Sequence, residues 1–194
     1  ICNSRIVPRF IKGIINNEDR VEISYQCSNE ECQSLFIAYL NQCPNPEYYE
    51  LYDVKPKKYT KEPFSVEIIE ISQMFVEIYN QSLEAEKNGL NQICGVGYRK
   101  SIEFLIKDYL CKEKPDEMEN IKNAFLGKCI SQYIDDIRIR NCAEKAVWLG
   151  NDETHYVRKI DNKDIRDMKI LINLTVKWIE SILLTKKYAN DDEW

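Results

Sequence analysis

At Pro63 the hydrophobic pattern of the chain changes its period. Ahead of it, Val21, Ile23 and Tyr25 alternate with polar residues, and Leu35, Phe36, Ile37 and Tyr39 follow as an apolar run, the pattern of strands. Beyond it, Ile71, Met74, Phe75, Ile78 and Tyr79 recur on one helical face, and Gly89 closes the segment. Side chains repeat every two residues along a strand and every ~3.6 along a helix, so the two parts belong to different elements. The prediction is a mainly α protein: a small cysteine-bearing β segment (1–43), a linker (44–62) and a five-helix bundle (63–190). Prolines 44, 46 and 56 and the tyrosines from Tyr48 to Tyr52 leave the linker room for one strand.

The other four helices are read from the same period. Val96 to Cys111 presents Ile102, Leu105, Ile106 and Tyr109, and Pro115 stops its continuation. Met118 to Tyr133 runs through Ile121, Phe125 and Cys129, and a shorter helix covers Arg140 to Leu149. The last, Asp161 to Tyr188, carries Ile165, Met168, Ile172, Val176, Ile179 and Leu183 in register. One apolar stripe per helix favours a bundle.

A net charge of −5 argues against nonspecific binding to a phosphate backbone, which needs clustered cations to displace counterions. The nearest approach to a cluster, Lys55, Lys57, Lys58 and Lys61, reads as solvated surface. No apolar run reaches the roughly 18 residues of a membrane span, so no membrane partner is expected. Eight cysteines without a signal-peptide pattern point to a reducing cytoplasm, where thiols bind metal or lie in cores. Cys27 and Cys32 form a C-x4-C knuckle between two strands, and such a turn supplies two thiolates to a tetrahedral zinc. Cys2 is the expected third ligand, and the fourth is either Cys43 or a residue before Ile1. A zinc held this way is structural, since a β segment this small buries little apolar surface by itself.

The stretch W-L-G-N-D-E-T-H-Y, Trp148 to Tyr156, holds the only histidine of the chain beside Asn151, Asp152 and Glu153, and Gly150 is expected to break or bend the preceding helix. An imidazole next to carboxylates is a candidate proton carrier at neutral pH, or else a hydrogen-bonded link between helices. Arg99 and Lys100 are candidate phosphate ligands near the start of their helix; alternatively, Arg99 pairs with Asp152 or Glu153 and ties the bundle together.

Three segments, I-S-Q-M-F-V-E-I-Y-N-Q (Ile71 to Gln81), G-V-G-Y-R-K-S-I-E-F-L-I-K-D-Y-L (Gly95 to Leu110) and L-G-N-D-E-T-H (Leu149 to His155), resemble the bacterial domain-of-unknown-function family four-one-four-five. The resemblance runs from about Pro63 onward, and the cysteine-bearing front end looks like the zinc-ribbon-like lead of that family. It implies a HEPN-like helical domain with a role near nucleic acid or phage defence. HEPN ribonucleases pair an arginine with a histidine a short spacer later. At that spacing ahead of His155 stand Gly150, Leu149 and Trp148, none of them basic, while Lys145 lies further upstream and Arg158 one turn downstream.

The reading that follows is a noncatalytic HEPN-like interaction module with a protein or nucleic-acid partner. Two alternatives accompany it. One is a metal-independent ribonuclease using His155 with Asn151, Glu153 and Arg99; the other is a structural homodimer joined through exposed aromatics such as Trp178 and Tyr188.

Overall fold

The computed structural model describes residues 5–16, 20–45, 47–56, 59–152, 156 and 163–189. They divide into two compact units, Ile1–Thr60 and Lys61–Trp194.

Among the described residues the first unit is an antiparallel sheet of four strands in the order β1-β2-β3-β4: β1 Arg9–Ile15, β2 Arg20–Gln26, β3 Leu35–Gln42 and β4 Tyr49–Lys55. The alternation in β2 sets Val21, Ile23 and Tyr25 opposite Leu40, Ala38 and Phe36, so one face of the sheet is apolar. Tyr25 stacks on Phe36 at 5.5 Å between ring centroids, and Phe10 of β1 meets Tyr25 edge-on at 6.3 Å. The two strands expected from the sequence are β2 and β3. β1 lacks a legible alternation because a bulge between Phe10 and Lys12 shifts its register, placing Phe10, Gly13 and Ile15 on the same side. β4 rises from the segment read as a linker and pairs with β3 across a second irregularity at Tyr39 and Leu40.

The second unit has seven α-helices among the described residues: α1 Val66–Ile71, α2 Gln73–Lys87, α3 Asn91–Glu113, α4 Met118–Asn123, α5 Leu126–Tyr133, α6 Ile137–Asp152 and α7 Ile165–Ala189. The five-helix expectation differs because two of its helices are interrupted. Ser72 leaves helical geometry (φ −148°, ψ 84°), and its hydroxyl accepts from the Phe75 amide at 3.3 Å, so it ends α1 and caps α2. The Ser72 hydroxyl also donates to the Asp108 carboxylate of α3. Ala124 and Phe125 are extended and separate α4 from α5. That break overturns the reading of Phe125 as a core residue: its ring is 90% exposed, and Leu126 is buried instead.

α3 touches each of the other six helices and forms the axis of the unit. It approaches α2 closely at Gly97, where an added Cβ would lie 2.2 Å from the Ser82 hydroxyl oxygen and 3.1 Å from the Ser82 Cβ. Around this axis pack Phe75, Ile102, Leu105, Ile106, Ile121, Cys129, Ile130, Met168, Ile172 and Ile179, all buried. Trp178, expected as an exposed interface residue, is half-buried and edge-on to Tyr109 at 5.7 Å; Tyr188 is exposed. No helix among the described residues is long and apolar enough to cross a membrane.

Candidate functional site

Of the four residues expected to carry chemistry, the structure brings Arg99 and Asn151 together. Arg99 lies in the third turn of α3, because that helix begins at Asn91 rather than near Val96. Arg99 and Lys100 are therefore well inside the helix and away from its N-terminal amides, which removes the expected helix-start phosphate site. The Arg99 Nε donates to Asn151 Oδ1 of α6 at 3.0 Å, and Nη1 donates to Glu103 Oε2 at 2.9 Å. Glu103 Oε1 faces Lys107 at 2.9 Å, so a single carboxylate sits between two cations on one helix face. Burial raises the Glu103 carboxyl, but hydrogen bonds from Lys107 and Arg99 outweigh it and hold the group below its ordinary value.

Gly150 takes a different role from the expected one. α6 continues through it to Asp152, and the Arg99 stem lies against its bare Cα: an added Cβ would come within 2.5 Å of the Arg99 Cβ. The helix crossing and the Arg99–Asn151 hydrogen bond thus depend on the same close approach. Glu103 was missed in the sequence, although Arg99, Glu103 and Lys107 follow one another at i, i+4 spacing, which places them on one face. Among the described residues Arg99 pairs with Glu103, and of the two carboxylates suggested by the sequence Glu153 lies outside them. His155, Glu153 and Arg158 lie outside the described residues.

Next to Asn151, α6 and α7 form an apolar groove of about 430 Å³ lined by Trp148, Leu149, Ile170 and Leu171, with Lys145, Lys163 and Asp167 at its polar margin. Trp148 and Ile170 are 60% and 59% exposed.

In the sheet unit, Cys27 and Cys32 bracket the tight turn between β2 and β3. The Cys27 amide donates to Ser34 O at 2.9 Å, the Cys32 amide donates to Asn29 O at 3.0 Å, and the Cys27 side chain is buried. A knuckle of this form can supply two thiolates to a metal. Cys43 cannot join them, because it follows β3 at the opposite end of the sheet, roughly 26 Å of strand away. β1 starts with Arg9 opposite Gln26, so the chain enters the sheet at the knuckle end. Cys2 lies outside the described residues, and among the described residues no three His, Cys, Asp or Glu side chains gather as a metal site.

Compared with protein-family models, curated proteins and solved structures, the chain gives no match.

Proposed function

We propose that the chain is a noncatalytic interaction module with a HEPN-like helical domain, acting near nucleic acid or in phage defence, and that the α6–α7 face around Trp148 is its contact surface. The engagement of Arg99 carries this reading. A cation that stabilises a reaction must meet the charge that develops on the substrate. Arg99 is instead neutralised by Glu103 and hydrogen-bonded to Asn151 across two packed helices, an arrangement suited to fixing their crossing. The net charge of −5 works in the same direction, since it repels polyphosphate.

Trp148 and Ile170 mark the contact surface. Exposed aromatic and aliphatic side chains beside an apolar groove, rimmed by charges, are the usual anchors of protein interfaces. A second copy of the chain is the partner this surface fits first, because Lys163 and Asp167 place both charge signs at its margin. The test has two arms. Purified protein incubated with total RNA is expected to leave it intact, as the His155→Ala variant does; degradation by the wild type alone overturns the noncatalytic reading. In sedimentation over a concentration series, the wild type is expected to dimerise, and Trp148→Glu to raise the dissociation constant by about tenfold or more. A wild type that stays monomeric throughout, or a Trp148→Glu variant that dimerises equally well, overturns the assignment of this face.

The Cys27–Cys32 knuckle belongs to the same proposal as part of a structural zinc site with Cys2 as a further thiolate ligand. Bound zinc would fix the turn and supply stability to the small sheet. Metal analysis after purification with zinc is expected to give about one ion per chain, with loss in the Cys27→Ser, Cys32→Ser double variant. A content below about half an ion per chain counts against it.

A further inference from the structure

One turn of α3 beyond Gly97, a stripe of the helix is left open by its neighbours and lines a groove of about 620 Å³, walled by Ile71 at the end of α1 and by Met118 and Lys122 of α4. That volume lies in the range of small-molecule sites, about 300–1,000 Å³. The stripe runs through Lys100, Phe104, Lys107 and Cys111, which helical spacing places on one side. From this lining we infer that the groove binds a small planar aromatic anion.

The groups that remain available in the groove set the charge of its ligand. Glu103, held by Arg99 and Lys107, and Asp108, which accepts from the Ser72 hydroxyl, line the groove together with Lys100, Lys107 and Lys122, so the lining carries one positive charge in excess. Lys107 is also held, donating to Glu103 and to the Lys122 carbonyl at 3.1 Å. Lys100 is exposed, and its ammonium lies 6.0 Å from the centre of the Phe104 ring without an ion pair among the described residues. Lys122 pairs with Glu119 only at the surface, at 3.3 Å with both side chains more than half exposed, a contact that a ligand displaces at little cost. Two ammonium groups therefore stand at the mouth of a groove whose interior is Phe104, Met118, Ile71 and Cys111. A flat ring suits Phe104 and the adaptable thioether of Met118, and a single anionic substituent suits the lysines. A neutral ring would leave the Lys100 ammonium without an ionic partner, and an inorganic anion would leave the apolar wall uncovered.

The test uses two dyes of almost the same shape. 8-Anilinonaphthalene-1-sulfonate carries the negative charge, and N-phenyl-1-naphthylamine lacks it. Fluorescence titration of the full chain is expected to show saturable one-to-one binding of the sulfonate, at least about tenfold tighter than the neutral dye. Lys100→Glu and Lys122→Glu, at exposed positions and checked for an intact fold by circular dichroism, are each expected to weaken the sulfonate about tenfold and to leave the neutral dye unchanged. Filling the groove with Met118→Trp is expected to weaken both dyes. Equal affinity for the two dyes, sulfonate binding indifferent to both lysine reversals, or the absence of saturation overturns the inference. Because none of these residues lines the α6–α7 groove, the result is independent of the dimer measurement.

Discussion

Replacing Tyr98 with alanine is expected to lower the stability of the helical unit by about 3–5 kcal/mol, measured as the midpoint shift in urea at constant slope. Tyr98 is fully buried on α3, and its ring meets Tyr79 edge-on at 5.1 Å, with Phe75 and Phe64 continuing the aromatic cluster through Tyr79. Truncation leaves a ring-sized cavity on the axis around which the other helices pack, where little can collapse to fill it. The polar end matters separately. The Tyr98 hydroxyl donates to Glu86 Oε2 at 2.6 Å, and Lys169 of α7 donates to the same oxygen at 2.9 Å with its ammonium 5.5 Å from the Tyr98 ring. Tyr98→Phe keeps the ring and removes only the donor, so its expected cost is smaller, about 1.5–3 kcal/mol for a hydrogen bond to a charged group.

The phenylalanine variant also has a defined pH signature. Burial raises the Glu86 carboxyl, but the hydrogen bonds from Tyr98 and Lys169 outweigh it and hold the group below its ordinary 4.5. A carboxylate depressed in the folded state contributes stability above its unfolded value and loses it as the pH falls through the folded one. Removing the Tyr98 donor moves the folded value back towards 4.5, so the gap between wild type and Tyr98→Phe should be full at neutral pH and narrow below 4.5. A gap that stays constant down to unfolding would mean that the hydroxyl does not act through the Glu86 charge.

The period change at Pro63 was enough to separate a strand-rich part from a helical part, because it is imposed by the backbone and needs no tertiary information. What the pattern could not carry were the places where one residue breaks a run. Ser72 and Phe125 each sit at a position that a helical wheel assigns without conflict, and only the capping hydroxyl of Ser72 and the extended backbone at Ala124 and Phe125 distinguish two helices from one. Strand β1 was hidden for a related reason: its bulge at Ile11 changes the side on which later residues fall. At the candidate site, Arg99 and Asn151 were legible as unusual residues, but their meeting across α3 and α6 was not, nor was the role of Glu103. The distance between them in sequence is spanned by a helix crossing, and that crossing is set by a residue with no side chain.

Gly150→Ala and Gly127→Ala make the same chemical change and are expected to have opposite signs. In a helix interior, alanine ordinarily gains about 1 kcal/mol over glycine by limiting the freedom of the unfolded chain. At Gly127, in the first turn of α5, no atom lies within 4 Å of the added methyl, so the variant should gain up to about 1 kcal/mol. At Gly150 the methyl would lie 2.5 Å from the Arg99 Cβ and 2.9 Å from its Cγ and Cδ. The Cδ can swing away, but the Cβ is fixed to the α3 backbone, so α3 and α6 must move apart. Overpacking of this kind costs about 1–3 kcal/mol, which offsets the propensity gain and leaves a net loss of up to about 2 kcal/mol. The same separation would lengthen the 3.0 Å bond from Arg99 Nε to Asn151, so the Arg99 side-chain resonances should shift in Gly150→Ala and remain in place in Gly127→Ala. Parallel urea titrations decide the matter: if both variants are stabilised, α3 does not rest on Gly150, and Arg99 is free of the clamp on which the noncatalytic reading depends.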